Sequence, residues 1–172
     1  SFDLEDEDGN VLVSDRHLLS LKDMNRSMYI EDMADAGVSS FKIEGRLKDM
    51  TYVKNVTAFY RNAIDELIAR RPDDYERSSN GCSEVCFEPN PNKTFNRGFT
   101  DYYLLRSQEK VSSLNTPKSI GEPVGEVRKV GENFITVGGT TKFHNGDGIC
   151  FFNANSVLCG CRVNKVEGVR LL

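Results

Sequence analysis

Apolar residues recur at helical spacing in one long stretch of the chain. Val53, Val56, Tyr60, Ala63, Ile64 and Leu67 follow one another at three- and four-residue steps, which lays one continuous apolar face along a helix. Asp49 or Thr51 supplies the N-cap, Arg70 and Arg71 suit the C-terminus, and Pro72 helps to end it. A shorter run, with Ile30, Met33 and Ala34 on its apolar side, predicts a helix over residues 25–36 that stops at Gly37. Between the two helices, Phe41-Lys42-Ile43-Glu44 alternates apolar and charged residues. Alternation is the strand signature. It predicts a buried strand with Phe41 and Ile43 on one face and Lys42 and Glu44 on the other, Arg46 continuing the charged face past Gly45.

The pattern changes along the chain. Residues 1–10 are acidic and read as a solvated loop ending in the turn-prone Asp8-Gly9-Asn10. Val11-Leu12-Val13 is a short strand candidate, and Leu18-Leu19-Ser20-Leu21 is a further apolar stretch. Residues 72–95 hold prolines 72, 89 and 91 among many Asp, Asn and Ser residues, the composition of a connector. From Ile120 onward, short β-rich runs at 124–130, 134–137, 149–152, 157–166 and 169–172 are separated by glycine-containing turns. Strands at this spacing predict a small antiparallel β-barrel. The fold class expected is therefore α/β followed by all-β.

Net charge is -4, so no global basic field draws the chain to nucleic acid, although a local basic patch is compatible with it. No apolar run approaches the roughly 18 residues of a membrane span. The five cysteines, Cys82, Cys86, Cys150, Cys159 and Cys161, are odd in number and lack a secretory context. This favours reduced thiols and a cytoplasmic protein. Cys150 and Cys159, among apolar residues, read as small core fillers. Cys82 and Cys86 form a C-x3-C pair, a spacing that structural zinc sites seldom use, so no metal site is expected. No Ser/His/Asp or Cys/His arrangement and no phosphate loop is legible.

The charged segment also carries a resemblance. Asp35-Ala36-Gly37-Val38 running into Phe41-Lys42-Ile43-Glu44-Gly45-Arg46 resembles the collagenase-like peptidase family, peptidase family U-32. Tyr52-Val53 and Tyr60-Arg61-Asn62-Ala63-Ile64-Asp65 are similar to that family's next helix, and Asn96-Arg97-Gly98-Phe99-Thr100 resembles a further family motif. The resemblance implies a (β/α) barrel followed by a small β-barrel. Residues 1–75 would be the C-terminal part of the barrel, 76–117 a linker with the family motif, and 118–172 the accessory β-barrel. A complete (β/α) barrel needs more than about 200 residues, and the chain opens at Ser1 without methionine. A fragment, inactive alone, is the expectation.

The resemblance implies a protease acting on peptides. Other branches of the family resemble hydroxylating enzymes acting on RNA or quinones, some with an iron–sulfur cluster. The alternative reading is thus part of an RNA hydroxylase, with the β-barrel as a nucleic-acid-binding module. A further alternative is a non-catalytic binding or structural module. No cysteine occurs in residues 1–81, where cluster-binding relatives would place one near Asn25, and no cofactor is expected in this stretch. Glu44 is the candidate acid or base, and Lys42 and Arg46 are candidates to hold an anionic group. Lys42 and Glu44 can equally be an ion pair satisfied inside a barrel. Asn96 and Arg97 are candidate substrate-binding residues. Arg97 beside a tight turn suits an anion, a helix cap or a salt bridge.

Overall fold

The computed structural model describes residues 1–105 and 110–172. In chain order it contains β1 (Phe2–Glu5), β2 (Val11–Arg16), β3 (Asp23–Met24), α1 (Ile30–Asp35), α2 (Met50–Arg70) and β4 (Phe99–Thr100). Six further strands follow: β5 (Glu126–Val130), β6 (Ile135–Gly138), β7 (Gly148–Phe152), β8 (Leu158–Arg162), β9 (Val166–Glu167) and β10 (Arg170–Leu171). The fold is mixed α and β, with four small sheets among the described residues. None of them closes into a barrel, because two sheets are lone hairpins, one is a two-residue parallel pair, and the four-stranded sheet is open with β5 and β9 at its edges. The chain divides into two compact units, residues 21–112 and residues 1–20 together with 113–172. The linker expected over 76–117 straddles that division, and its residues 106–109 lie outside the described residues.

In the unit of residues 21–112, α2 begins where the Asp49 carboxylate accepts a hydrogen bond of 2.7 Å from the Tyr52 N–H. That bond satisfies one of the donors a helix start leaves open. The helix buries Val56, Ala58 and Leu67, and its last turn closes before Pro72 with Arg71 N–H donating to the Leu67 carbonyl. Val53, expected on the apolar face, is 38% exposed. Asn55 is buried in its stead. Its side chain accepts from the Asn90 N–H at 2.7 Å and donates to the Asn90 carbonyl at 2.6 Å, as a strand neighbour would. Helix α1 is shorter than expected and is preceded by a 3₁₀ turn over Ser27–Tyr29. It ends as its sequence predicts, with Gly37 N–H bonded to Ala34 O and Val38 N–H to Met33 O.

Arg70 and Arg71 join the two helices. Arg70 pairs with Glu31 at 2.8 Å, and Arg71 reaches Glu31, Asp35 and Asp74. Hydrogen bonds from Arg70 hold the Glu31 carboxyl below its usual range, and those from Arg71 do the same for Asp35. The parallel strands β3 and β4 pair Asp23 with Phe99 and Met24 with Thr100. A parallel pair requires a long crossover, which α1 and α2 supply.

In the other unit, the amino-terminal residues correct the sequence expectation. Residues 2–5 form a strand rather than a loop, paired antiparallel with β2 in the register Phe2–Arg16, Leu4–Val13 and Glu5–Val11. Only the tip, residues 6–10, is a turn, where the Asp6 carboxylate accepts from the N–H groups of Asp8 and Asn10. The local sign of this strand is the alternation of Phe2 and Leu4 with Asp3 and Glu5, which the acidic run masks. All four side chains are exposed, so the strand is held by its pairing and not by a buried face. Strands β5, β6, β10 and β9 form the four-stranded sheet in that order, and β7 and β8 form a separate hairpin. Val163 and Leu171 are buried in this unit. Cys150 is exposed on β7 and Cys159 is half-buried on β8, so neither is a core filler. A lone two-stranded hairpin has too little covering structure to bury both of its faces.

Candidate functional site

The segment 41–46 keeps the facing its sequence predicts but not the strand. Phe41 and Ile43 are half-buried, whereas Lys42 and Glu44 are exposed. No ladder of hydrogen bonds joins the segment to a neighbour among the described residues, so it is an extended connection. Lys42 Nζ lies 2.9 Å from Glu44 Oε1, with the two side chains 85% and 69% exposed. The hydrogen bond from Lys42 to Glu44 raises the Lys42 pKa. Within this chain the pair is therefore in solvent. Arg46 is exposed in the turn that follows. Gly45 sits against α2: a Cβ there would come within 3.1 Å of Val53 Cγ2. The turn closes with Lys48 N–H donating to the Gly45 carbonyl at 2.9 Å, which delivers Asp49 to the helix cap.

That turn also connects the two sets of candidate residues. Lys48 Nζ lies 3.3 Å from the centroid of Phe95 and 5.6 Å from that of Tyr52. Burial lowers the Lys48 pKa, the Asp23 carboxylate counters this, and the Arg97 charge adds to it. Phe95 leads directly into Asn96 and Arg97. The Arg97 guanidinium donates to both Asp23 carboxylate oxygens, at 3.0 and 3.2 Å, and the Arg97 N–H adds a third bond of 2.8 Å. The salt bridge is thus the partner that Arg97 takes. Asn96 is only 2% exposed. Its amide donates to the carbonyls of Asn92 and Thr94 and accepts from the Gly98 N–H, so it shapes the loop that presents Arg97.

Beneath this cluster, Tyr60 Oη accepts from the Arg26 N–H at 3.0 Å and donates to Asn25 Oδ1 at 3.1 Å. Burial raises the pKa of Tyr60 and of Tyr52. A cavity of about 20 Å³, room for one water, is lined by Asp23, Asn25, Tyr52, Tyr60, Thr94 and Phe99 among others. Chemically, this is a half-buried lysine beside an arginine, with the Phe95 ring against both cations. Cations against aromatic rings have the chemistry to hold an anion or a flat group, and here Asp23 already pairs with Arg97.

A family model described as peptidase family U32 matches residues 1–113, which include every one of these side chains. The chain belongs to peptidase family U32. It is 44% identical over 166 residues to a 23S rRNA 5-hydroxycytidine C2501 synthase of Escherichia coli, covering 96% of this chain and 25% of that protein. It is 35% identical over 110 residues to a tRNA hydroxylation protein P of Helicobacter pylori, covering 62% of this chain and 23% of that protein. It is 36% identical over 93 residues to a collagenase of Porphyromonas gingivalis, covering 54% of this chain and 24% of that protein. The chain thus spans about a quarter of the length of these curated relatives. No solved structure matches.

Some U32 relatives are expected to carry an iron–sulfur cluster, so the donor set matters. Among the described residues no group of three or more His, Cys, Asp or Glu side chains converges as metal ligands. All five cysteines are free, and Cys82 accepts a hydrogen bond from Arg77 at 3.2 Å. The described residues do not build a cluster site. Asp23, Lys48 and Phe95 are not singled out by sequence. Asp23 and the loop that carries Phe95 and Arg97 are more than seventy residues apart along the chain and meet only after folding. The local signal for Lys48 is the Lys48-Asp49 pair between a glycine turn and the helix.

Proposed function

We propose that this chain serves a U32-family enzyme that hydroxylates a base in RNA. The observation that carries this reading is the match to the 23S rRNA 5-hydroxycytidine synthase. It takes in 96% of the chain, and so the β-rich part beyond residue 113, whereas the collagenase similarity covers 54%. The side chains agree with it. Among the described residues neither histidine side chain is hydrogen-bonded to a serine, threonine or cysteine side chain, and His144 stands exposed beside Asp147. Proteolysis is the second reading, favoured by the collagenase similarity and by the peptidase description of the family model.

In the proposed enzyme, Glu44 moves a proton while Lys42, Arg46, Lys48 and the Asp23-held Arg97 hold anionic groups of the RNA. The residues up to about 75 supply the last units of a (β/α) barrel, with the charged segment at its mouth, and residues 118–172 supply an accessory β-rich module. A cytoplasmic setting, where rRNA and tRNA are found, goes with this reading. Among the described residues no helix is long and apolar enough to cross a membrane.

The test is a chimera in which this chain replaces the matching quarter of the Escherichia coli synthase, expressed in a strain lacking that gene. Mass spectrometry of 23S rRNA is expected to find 5-hydroxycytidine restored. A stably expressed chimera that leaves cytidine unmodified yet cleaves gelatin would favour the protease reading. The exposed connector within the unit of residues 21–112 has its own test. Residues 76–88 are exposed and lack regular structure, so limited proteolysis should cut first between Pro72 and Pro91. First cuts within α2 would contradict the reading of this stretch as a connector.

A further inference from the structure

The four-stranded sheet sorts its side chains by chemistry. Residues directly opposite one another across strands share a face. Register therefore places Val130, Ile135, Leu171 and Val166 in one row and Lys129, Thr136, Arg170 and Glu167 in the next. Successive rows point to opposite faces. The first row is apolar and contains the buried Leu171. Phe134 does not join it. The ring lies with the charged row, 4.8 Å from Arg170 Cζ and 6.0 Å from Lys129 Nζ. The backbone is built to admit it there: a Cβ on Gly131 would come within 2.2 Å of Phe134 Cε1, so only glycine leaves the ring its place.

The charges around the ring are unbalanced. Glu167 is held by Lys165 at 2.6 Å, and Arg170 adds only a weaker, longer-range pull on it. Glu126 lies 3.6 Å from Arg128. Among the described residues Lys129 and Arg170 have no carboxylate within ion-pair distance. Two cations without a close counter-ion therefore flank one half-exposed aromatic ring on an otherwise polar face. A fully apolar packing role would place Phe134 in the other row, and a fully electrostatic role would not need the ring.

We propose that this face, through Lys129, Phe134 and Arg170, binds single-stranded RNA. An unpaired base stacks on the Phe134–Arg170 platform, and the adjoining phosphates contact Lys129 and Arg170. The strand must be single, because a duplex offers no free base face to a flat surface of this kind. The choice of RNA as the polyanion rests on the RNA-hydroxylase reading. The surface lies beyond the residues that the family model matches, and it belongs to a different unit of the chain from Glu44 and Arg97.

The experiment is fluorescence anisotropy of the 172-residue chain with a labelled oligocytidylate, titrated at several KCl concentrations. The exposed pair is changed in a Lys129→Gln, Arg170→Gln variant, and the ring in Phe134→Leu, with circular dichroism confirming each fold. The double variant is expected to bind at least ten-fold more weakly, with a salt slope shallower by about 1.4, the value for two lost single-strand phosphate contacts. Phe134→Leu is expected to weaken binding at least five-fold with the salt slope unchanged, because stacking carries no charge. RNA binding unaltered in the double variant would overturn this surface while leaving the hydroxylase reading intact, since the chimera tests that separately. Absent RNA binding by the unaltered chain, or equal affinity for a polyglutamate peptide, would also overturn it, the latter in favour of an acidic protein partner.

Discussion

Replacing Asp23 by alanine is expected to cost about 2–4 kcal/mol of folding stability. The carboxylate accepts three hydrogen bonds from Arg97, two from the guanidinium and one from the peptide N–H. The two side chains are only 16% and 26% exposed, so water replaces those bonds poorly. Alanine strands a charged fork and a backbone donor together, and the penalty for leaving a buried group unsatisfied exceeds the net worth of the bond it made. The same contact ties β3 to β4, strands with no local reason to meet. Arg97→Ala should cost less, because Asp23 keeps the bond from the N–H of residue 97. Arg97→Lys should not rescue fully, because an ammonium lacks the two-pronged geometry. Urea unfolding measures this as a fall in midpoint with an unchanged slope. An Asp23→Ala chain within about 0.5 kcal/mol of the parent, the range of an ordinary surface change, would show that the pair is incidental.

This contact also marks where the sequence stops being legible. Helix α2 can be read because its cap, its periodicity and its terminating proline are all local. Gly37 ends α1 for the same reason. The alternation of Phe41 to Glu44 gives the correct facing, but alternation reports faces and not partners, so it cannot say that no strand lies alongside. β3 and β4 are two residues each, too short for any period, and are fixed by a parallel pairing across more than seventy residues. Asn55 reads as the polar side of a helix and is buried because a distant backbone, at Asn90, supplies both hydrogen bonds. Of the site, the Lys42-Glu44 and Asn96-Arg97 segments are visible in the sequence as motifs. Lys48 and Phe95 are not, because a lysine over a ring is a property of the folded turn.

Glu44→Gln is expected to leave stability unchanged and to lower hydroxylation by about 10²–10⁴-fold, the usual worth of a positioned acid or base. The structural half of this expectation follows from exposure. A pair as solvated as Lys42 and Glu44 gains little from its own attraction, because water and salt screen it and two long side chains must be held in one geometry. Thermal unfolding should therefore coincide with the parent. The functional half rests on the proposed role of Glu44, and glutamine tests it because it keeps the shape and removes the charge and the proton site. The substitution also frees Lys42, whose raised pKa comes from its bond to Glu44 and should fall back towards the ordinary lysine range. Lys42→Gln separates the two contributions: loss of an anion-holding cation should weaken RNA engagement more than turnover. The readout is the time course of 5-hydroxycytidine formation in the complementing chimera after brief induction, since a saturated rRNA pool would hide even a large loss of rate. Wild-type kinetics in Glu44→Gln would remove this residue from the chemistry and leave Lys48 and Arg97 as the charged groups to pursue.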